Sequence, residues 1–431
     1  MRIIVHDYSG HPFQVQLARA LAARGHAVLH QHFAGFQTPK GALVRRADDP
    51  AGFAVEALDL DEPFAKTRLS KRVRQEIAYG RRALAAARAF RPDVVVASNI
   101  PLDPLGMLQR GLQADGCRFV LWWQDIYSVA MGQILPRRLP VVGHAIAARY
   151  RRLERRICRE ADAIVGITDD FLDVLDAWKV DRGKAVTIEN WAPLDEIRPL
   201  CADNAWARAH DLADRAVLLY AGTLGFKHNP ELLWRAAERL AGEPALADAR
   251  IVVVSEGAGA DHLRARLAAR PEVPLEILPF QPYERFSEVL ASARVVAAIL
   301  EPEAGVFSVP SKVLSYLAAG RAILLAAPAE NLASRIVARV EAGEVVDPDD
   351  ADGFAERVRA LLGDAARCRA MGERGRAHAQ GSFDVERIAD RFERVCGSVP
   401  AAAPAPPPPV SAPPEGRADA LALEEIHDAH R

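Results

Sequence analysis

The chain has 431 residues, of which 50% are apolar, 26% charged and 6% aromatic. At ~100–200 residues per domain this length predicts two or three domains, each with its own core, and excludes a disordered or collagen-like chain. Lys and Arg number 55 against 57 Asp and Glu, a net charge of -2, so no global positive field points to nucleic acid. The balance is uneven, however. Residues 1–199 hold 29 basic and 23 acidic side chains, and residues 200–431 hold 26 and 34.

Short apolar runs alternate with helical periodicity from the start, which predicts parallel α/β folding. Ile3 to Val5 reads as a first strand, Ser9-Gly10-His11-Pro12 as a turn, and Gln14 to Arg24 as a helix capped at Gly25. Further strands are expected at Ala27–His32, Val94–Ala97, Phe119–Trp123 and Ala163–Ile167. After Pro193 and Pro199 the pattern restarts with Ala216–Tyr220, then Ile251–Val254, Leu275–Leu278 and Val295–Leu300. The restart predicts two α/β domains, 1–198 and 199–382, with the connection near 192–212. Residues 383–398 read as a last amphipathic helix. Residues 399–431, with eight prolines between 400 and 414, read as a disordered tail.

The five cysteines are scattered and odd in number, without metal-ligand spacing, as expected of a reducing cytoplasm. The N-terminus enters a charged strand at once, and no apolar run reaches the ~18–20 residues that span a bilayer. A cytoplasmic protein, at most peripheral to the inner membrane face, is the expectation.

Three loops favour an anion. Gly222-Thr223-Leu224-Gly225-Phe226-Lys227 follows the strand that opens the second domain, where free backbone N–H groups and a lysine suit a phosphate. Ser255-Glu256-Gly257-Ala258-Gly259 follows the next strand, before a helix expected from about Asp261. A third helix is expected to start after Pro310 and end at Gly320, presenting its dipole, the Ser311 hydroxyl and the Lys312 ammonium to one point. In an open α/β sheet such loops gather at the carboxyl ends of the strands.

These phrases, together with ILPFQPYERFSEVLASARVVAAIL and VPSKVLSYLAAGRAILL, resemble the nucleotide-sugar-binding half of the retaining GT-B glycosyltransferases, in particular those of exopolysaccharide and lipid-linked glycan synthesis. FRPDVVVASNIP, LWWQDIYSVAM and VTIENWAPLDEI resemble the same family more loosely. The resemblance covers about residues 1–397. It implies two Rossmann-like domains facing across a cleft, with the last helix crossing back to the first domain. It also implies metal-independent catalysis, no cofactor, and a nucleotide diphosphate sugar as co-substrate. The donor would be held by Gly222, Thr223, Lys227, Glu256, Gly257, Phe280, Pro310, Ser311, Lys312 and Ser315, with Lys227 and Lys312 neutralising the departing nucleotide. The chain departs from the family at its usual glutamate pair, where Phe307 and Ser315 stand.

In the first domain, Trp122-Trp123-Gln124-Asp125 follows a strand. Trp123 is expected either to stack on a sugar or to fill the core beneath the loop, and Asp125 to orient or deprotonate an acceptor hydroxyl. Gly10 and His11 are expected beside the same acceptor. His6, His30 and His32 read as packed side chains rather than ligands, and no metal site is expected. Basic segments at 66–91 and 137–159 suit either an anionic membrane surface or solvated helix faces, and no nucleic acid is expected. The expected reaction transfers a hexose-type sugar to a lipid-linked or polysaccharide acceptor with retention. Its rivals are a nucleotide-sugar 2-epimerase and a GT-B-like scaffold without turnover.

Overall fold

The structure is a computed structural model that describes residues 1–35, 43–64, 69–225, 228–300, 302 and 309–397. The proposed tail at 399–431, Lys227 and Phe307 therefore lie outside the described residues. Thirteen strands form two parallel sheets. The first contains β1 (Arg2–Asp7), β2 (Ala27–Phe33), β3 (Phe53–Leu58), β4 (Val94–Ser98), β5 (Arg118–Trp123), β6 (Ala163–Gly166) and β7 (Ala185–Thr187), in the order β3-β2-β1-β4-β5-β6-β7. The second contains β8 (Val217–Ala221), β9 (Arg250–Val254), β10 (Leu275–Leu278), β11 (Val295–Ile299), β12 (Ala322–Ala326) and β13 (Gly343–Val346), in the order β10-β9-β8-β11-β12-β13.

Helices join the strands: α1 (Pro12–Ala23), α2 (Leu69–Phe90), α3 (Leu102–Ala114), α4 (Tyr127–Arg138), α5 (Gly143–Glu160), α6 (Asp170–Ala177) and α7 (Ala205–Ala209) in the first half and connection. The second half carries α8 (Glu231–Ala241), α9 (Ala258–Ala269), α10 (Phe286–Ala291), α11 (Ser311–Ala319), α12 (Leu332–Arg339), α13 (Ala351–Gly363), α14 (Ala365–Ser382) and α15 (Val385–Gly397).

The central strands are buried along their whole length, as in Val94–Ser98, Val217–Ala221 and Val295–Ile299, because helices cover both faces. That is why continuous apolar runs, not alternating ones, announced them. Four strands were not expected from sequence: the edge strands β3, β7 and β13, which are only partly buried, and β12, whose apolar run Ala322–Ala326 is fully buried. The helix expected from Asp261 begins at Ala258. Gly259 makes that possible, since a Cβ there would lie 2.6 Å from the Leu224 carbonyl oxygen.

Helix α15 lies against α1 of the first domain. Ile388, Ala389, Phe392 and Cys396 form its buried face, and Phe392 packs on Trp122, which stacks on Trp191. Arg24, at the end of α1, pairs with Glu386, Asp390 and Glu393 on successive turns. His26 also reaches Glu393, at 2.8 Å. A bidentate pair joins a helix of each domain, with Arg335 of α12 on Asp170 of α6 at 2.5 and 3.2 Å. No helix among the described residues is long and apolar enough to cross a membrane.

Candidate functional site

In the second sheet the chain order reverses between β8 and β11, and in open parallel sheets the crevice at such a point binds ligands. Two of the predicted loops meet there. Gly222 leaves β8 with φ +125°, a conformation that suits glycine, and its N–H bonds the Val254 carbonyl at the end of β9. Helix α11 starts at Ser311 after the extended Pro310 and ends on left-handed Gly320. From its first turn Lys312 crosses to β8. Its Nζ donates to the Tyr220 hydroxyl at 2.7 Å and lies 4.0 Å from the centroid of that ring.

The Tyr220 hydroxyl in turn donates to the Thr223 carbonyl at 2.8 Å, so one buried phenol fixes both the lysine and the glycine turn. Burial holds this phenol well above the usual tyrosine range, which keeps it a neutral donor. A Cβ on Gly222 would lie 2.6 Å from Lys312 Cε and 3.0 Å from Nζ. The glycine thus makes room for the ammonium as well as for the turn.

The second anion loop joins the first. Gly257 turns with φ +105°, and the Gly259 N–H bonds the Leu224 carbonyl at 3.1 Å. Glu256 is exposed and accepts from the Phe280 N–H at 3.4 Å, and Phe280 is itself 36% exposed. Gln281 is held by the Trp206 indole, which donates to its side-chain oxygen at 2.9 Å. Thr223 and Ser311 are exposed. Ser315 stands one turn further along α11 than Ser311 and is half-buried.

The first domain has a comparable reversal between β1 and β4. Asp7 ends β1 fully buried and gathers the turn around its carboxylate. It accepts from the Ser9 and His11 backbone N–H groups, from Asn99 Nδ2 at 2.9 Å and from the His11 ring at 3.2 Å. Burial acts to raise the Asp7 carboxyl, but the charge and hydrogen bonds of His11 outweigh it and hold it down at about 2. Burial acts to lower His11, and here the charge and hydrogen bond of Asp7, with the charge of Asp125, win and raise it. His11 and Asp125 are thus neighbours in charge as well as in topology, and Gly10 precedes His11 with φ +78°.

One expectation is corrected. Trp123 does not offer its ring to a ligand: it is 3% exposed, packs on Phe171 and Trp178, and donates its indole N–H to Glu154 at 3.0 Å. It fills the core beneath the loop, because the last residue of a central strand still lies between two helical layers. Glu154, on α5, also accepts from the backbone N–H groups of Tyr127 and Ser128, so a buried carboxylate caps α4 and fixes the turn that carries Asp125. Desolvation raises the Glu154 carboxyl.

Asp7, Asn99, Glu154 and Tyr220 were missed as site residues by sequence reasoning. The available signal was positional for Asp7 and Asn99, polar residues at the carboxyl ends of apolar strands, and absent for the others. His6, His30 and His32 are packed side chains, and among the described residues no group of three or more His, Cys, Asp or Glu could hold a metal.

Two parallel sheets, each with a polar loop cluster at its reversal point, define a double Rossmann-like protein. The model of the glycosyl transferase 4-like domain matches residues 11–191 and that of the glycosyl transferases group 1 matches residues 215–364, together most of the chain. The chain belongs to the GT-B glycosyltransferases. It is 30% identical over 239 residues to D-inositol 3-phosphate glycosyltransferase of Nocardia farcinica (strain IFM 10152), a match covering 53% of this chain and about half, 51%, of that relative. It is 23% identical over 283 residues to WcaI of Escherichia coli (strain K12), assigned as a colanic acid biosynthesis glycosyl transferase, covering 65% of this chain and 68% of WcaI. The fold is shared with Anabaena Alr3699/HepE, solved in complex with UDP-glucose, at a TM-score of 0.67 and 16% identity, covering 93% of this chain and 100% of that one.

Proposed function

We propose that this protein transfers a hexose-type sugar, with retention, from a nucleotide diphosphate donor on the second domain to an acceptor hydroxyl at the first. The observation that carries the reading is Lys312 held by Tyr220 over the Gly222 turn, at the reversal point of the sheet. A diphosphate placed there would meet an ammonium, the free N–H groups of α11 and the Ser311 hydroxyl, with Lys227 as a second cation from the same loop. The leaving nucleotide would then be stabilised electrostatically, with neither a bound metal nor a cofactor required.

In this reading Asp125 and His11 meet the acceptor. His11, whose pKa is raised by Asp7, orients an anionic or hydroxyl group, and Asp125 accepts the hydroxyl proton or hydrogen bond. The nucleotide sugar is supported by the UDP-glucose complex of the structurally similar HepE. A lipid-linked or polysaccharide acceptor, met by a cytoplasmic enzyme at the inner membrane face, is supported by the likeness to WcaI. Ser315 in place of the family's usual glutamate favours a second reading, a nucleotide-binding scaffold without turnover.

Calorimetry against UDP, GDP, ADP and TDP, followed by donor hydrolysis and product analysis, tests both. Binding with hydrolysis and net sugar transfer supports the transferase. Binding without any turnover supports the scaffold, a 2-epimerised donor would replace transfer by epimerisation, and failure of every nucleotide to bind overturns all three.

A further inference from the structure

The two basic segments have different surroundings. On α2, Lys71 pairs with Glu62 at 2.8 Å, Arg72 with Glu76 at 2.7 Å, and Arg88 with Asp115 at 2.7 Å. Arg74 also reaches Glu62, and Arg82 pairs with Asp61. Most of the positive charge on α2 is thus answered locally. On α5, Arg151 and Arg152 are exposed and carry no ion pair among the described residues. Arg155 and Arg159 donate to the neutral Trp178 carbonyl, which leaves their charge uncompensated.

Helices α4 and α5 form a tight hairpin. Gly143 permits it, because a Cβ there would lie 2.3 Å from the Leu135 carbonyl oxygen. At its tip Val141 is 93% exposed and Val142 50%, and Ile134 on the adjoining turn of α4 is 45% exposed. These are three of the seven large apolar side chains exposed among the described residues, and they share one hairpin. From the tip, Val142, Ala145, Arg149, Arg152, Arg156 and Arg159 follow at spacings of three and four, which lines them up along one helix face; Arg149 pairs there with Asp103 and Arg156 with Glu160, while Arg152 and Arg159 carry no ion pair among the described residues. Arg152 stands ~15 Å and Arg159 ~25 Å along the axis from Val142. An apolar tip with a ridge of cations behind it matches a lipid surface, where apolar side chains enter the acyl boundary and guanidinium groups stay at the headgroup phosphates.

We propose that the α4–α5 hairpin docks on an anionic lipid bilayer through Val141 and Val142, with the exposed Arg151 and Arg152 on the headgroups. The inner side of the hairpin carries Glu154, which caps α4 and holds the turn of Asp125. The same rigid piece therefore joins the bilayer contact to the acceptor side of the site. Delivery of a lipid-linked acceptor rests on the transferase reading. The docking itself needs neither nucleotide nor turnover.

Co-sedimentation of the full chain with vesicles of phosphatidylcholine alone, and of phosphatidylcholine with phosphatidylglycerol, tests it at low and high salt. Binding is expected to the anionic vesicles only and to weaken with salt. Arg151→Gln with Arg152→Gln should lower the partition coefficient by on the order of tenfold. Val141→Glu with Val142→Glu should abolish binding, while Lys71→Gln with Arg74→Gln should leave it near wild type. Thermal melts and nucleotide calorimetry on the same variants establish that they fold and that the donor side is intact. The inference is overturned by equal binding to both vesicle types, by no binding to either, or by loss of binding in the α2 variant alone. A dimer abolished by the valine changes, without vesicle binding, would reassign the patch to a second copy of the chain. Vesicle binding without any nucleotide affinity would leave the docking standing and remove the transferase.

Discussion

The ammonium of Lys312 and the phenol of Tyr220 meet at 2.7 Å although 92 positions separate them. They do so because β8 and β11 are neighbours in the sheet, and α11 starts where the loop after β11 ends. The contact joins strand β8 to the helix that follows β11, across the point where the chain reverses its order.

Disturbing that contact should therefore weaken donor binding more than it weakens the fold. Lys312→Ala is expected to raise the Kd for a nucleoside diphosphate about tenfold or more, since hydrogen bonds to charged groups contribute ~1.5–3 kcal/mol. Gly222→Ala should act in the same direction, because its methyl group would occupy the space of Lys312 Cε and strain a residue at φ +125°. Calorimetry reads both, and an unchanged affinity for Lys312→Ala would remove that residue from the site.

Asp7 and His11 make opposite contributions with pH. The carboxyl of Asp7 is held at about 2, below its ordinary value of 3.8, so its share of stability is present above 3.8 and is lost as pH falls toward 2. His11 is raised, so its share is complete below its ordinary 6.5 and is lost as pH rises through its folded value. The pair is strongest between those limits. Asp7→Asn should cost on the order of 3 kcal/mol, as breaking a buried pair does, and should lower the His11 pKa. Urea melts and an NMR titration of the His11 ring measure the two effects, and a His11 pKa unmoved by the substitution would contradict the assignment.

His30 offers a stabilising change. Both its ring nitrogens are buried without a hydrogen-bond partner among the described residues, and burial holds its pKa down at about 3. His6, partnered by Gln31 and Tyr79, is held at about 4, again mainly by burial. A histidine whose folded pKa is lowered resists protonation, so the native state loses stability as pH falls below 6.5, by up to ~1.4 kcal/mol per pH unit for each ring. His30→Leu should remove one ring from that slope and relieve the orphaned nitrogens. Its Tm is expected to exceed the wild-type value near pH 5 by more than near pH 7.5. A parallel pH dependence of the two proteins would show that His30 does not contribute.

The loops proposed to hold the donor were legible because each strand-to-helix turn announces itself locally, in glycines at Gly222 and Gly257 and in proline, serine and lysine at the start of α11. Trp123 shows the limit. Its place after an apolar strand was readable, but whether its ring faced a ligand or the core depended on α5 placing Glu154 beneath it, a relationship between helices that no local spacing encodes. Glu154 itself lies among six arginines of α5 in the sequence and looks like one more surface charge, yet it is buried.

The sequence alone determined the two α/β domains, their order, the loops at the strand ends and the division into a basic and an acidic half. These follow from the apolar runs and turn residues of each segment, which act over a few positions. The tertiary structure decided which charges act. It neutralised most of the cations on α2 with acidic side chains, left Arg151 and Arg152 without an ion pair among the described residues on the helix behind an exposed apolar tip, and brought Lys312 onto Tyr220. Charge and hydrogen bonding depend on what stands within a few ångströms in space, and in a parallel sheet those neighbours come from strands and helices far apart in the chain.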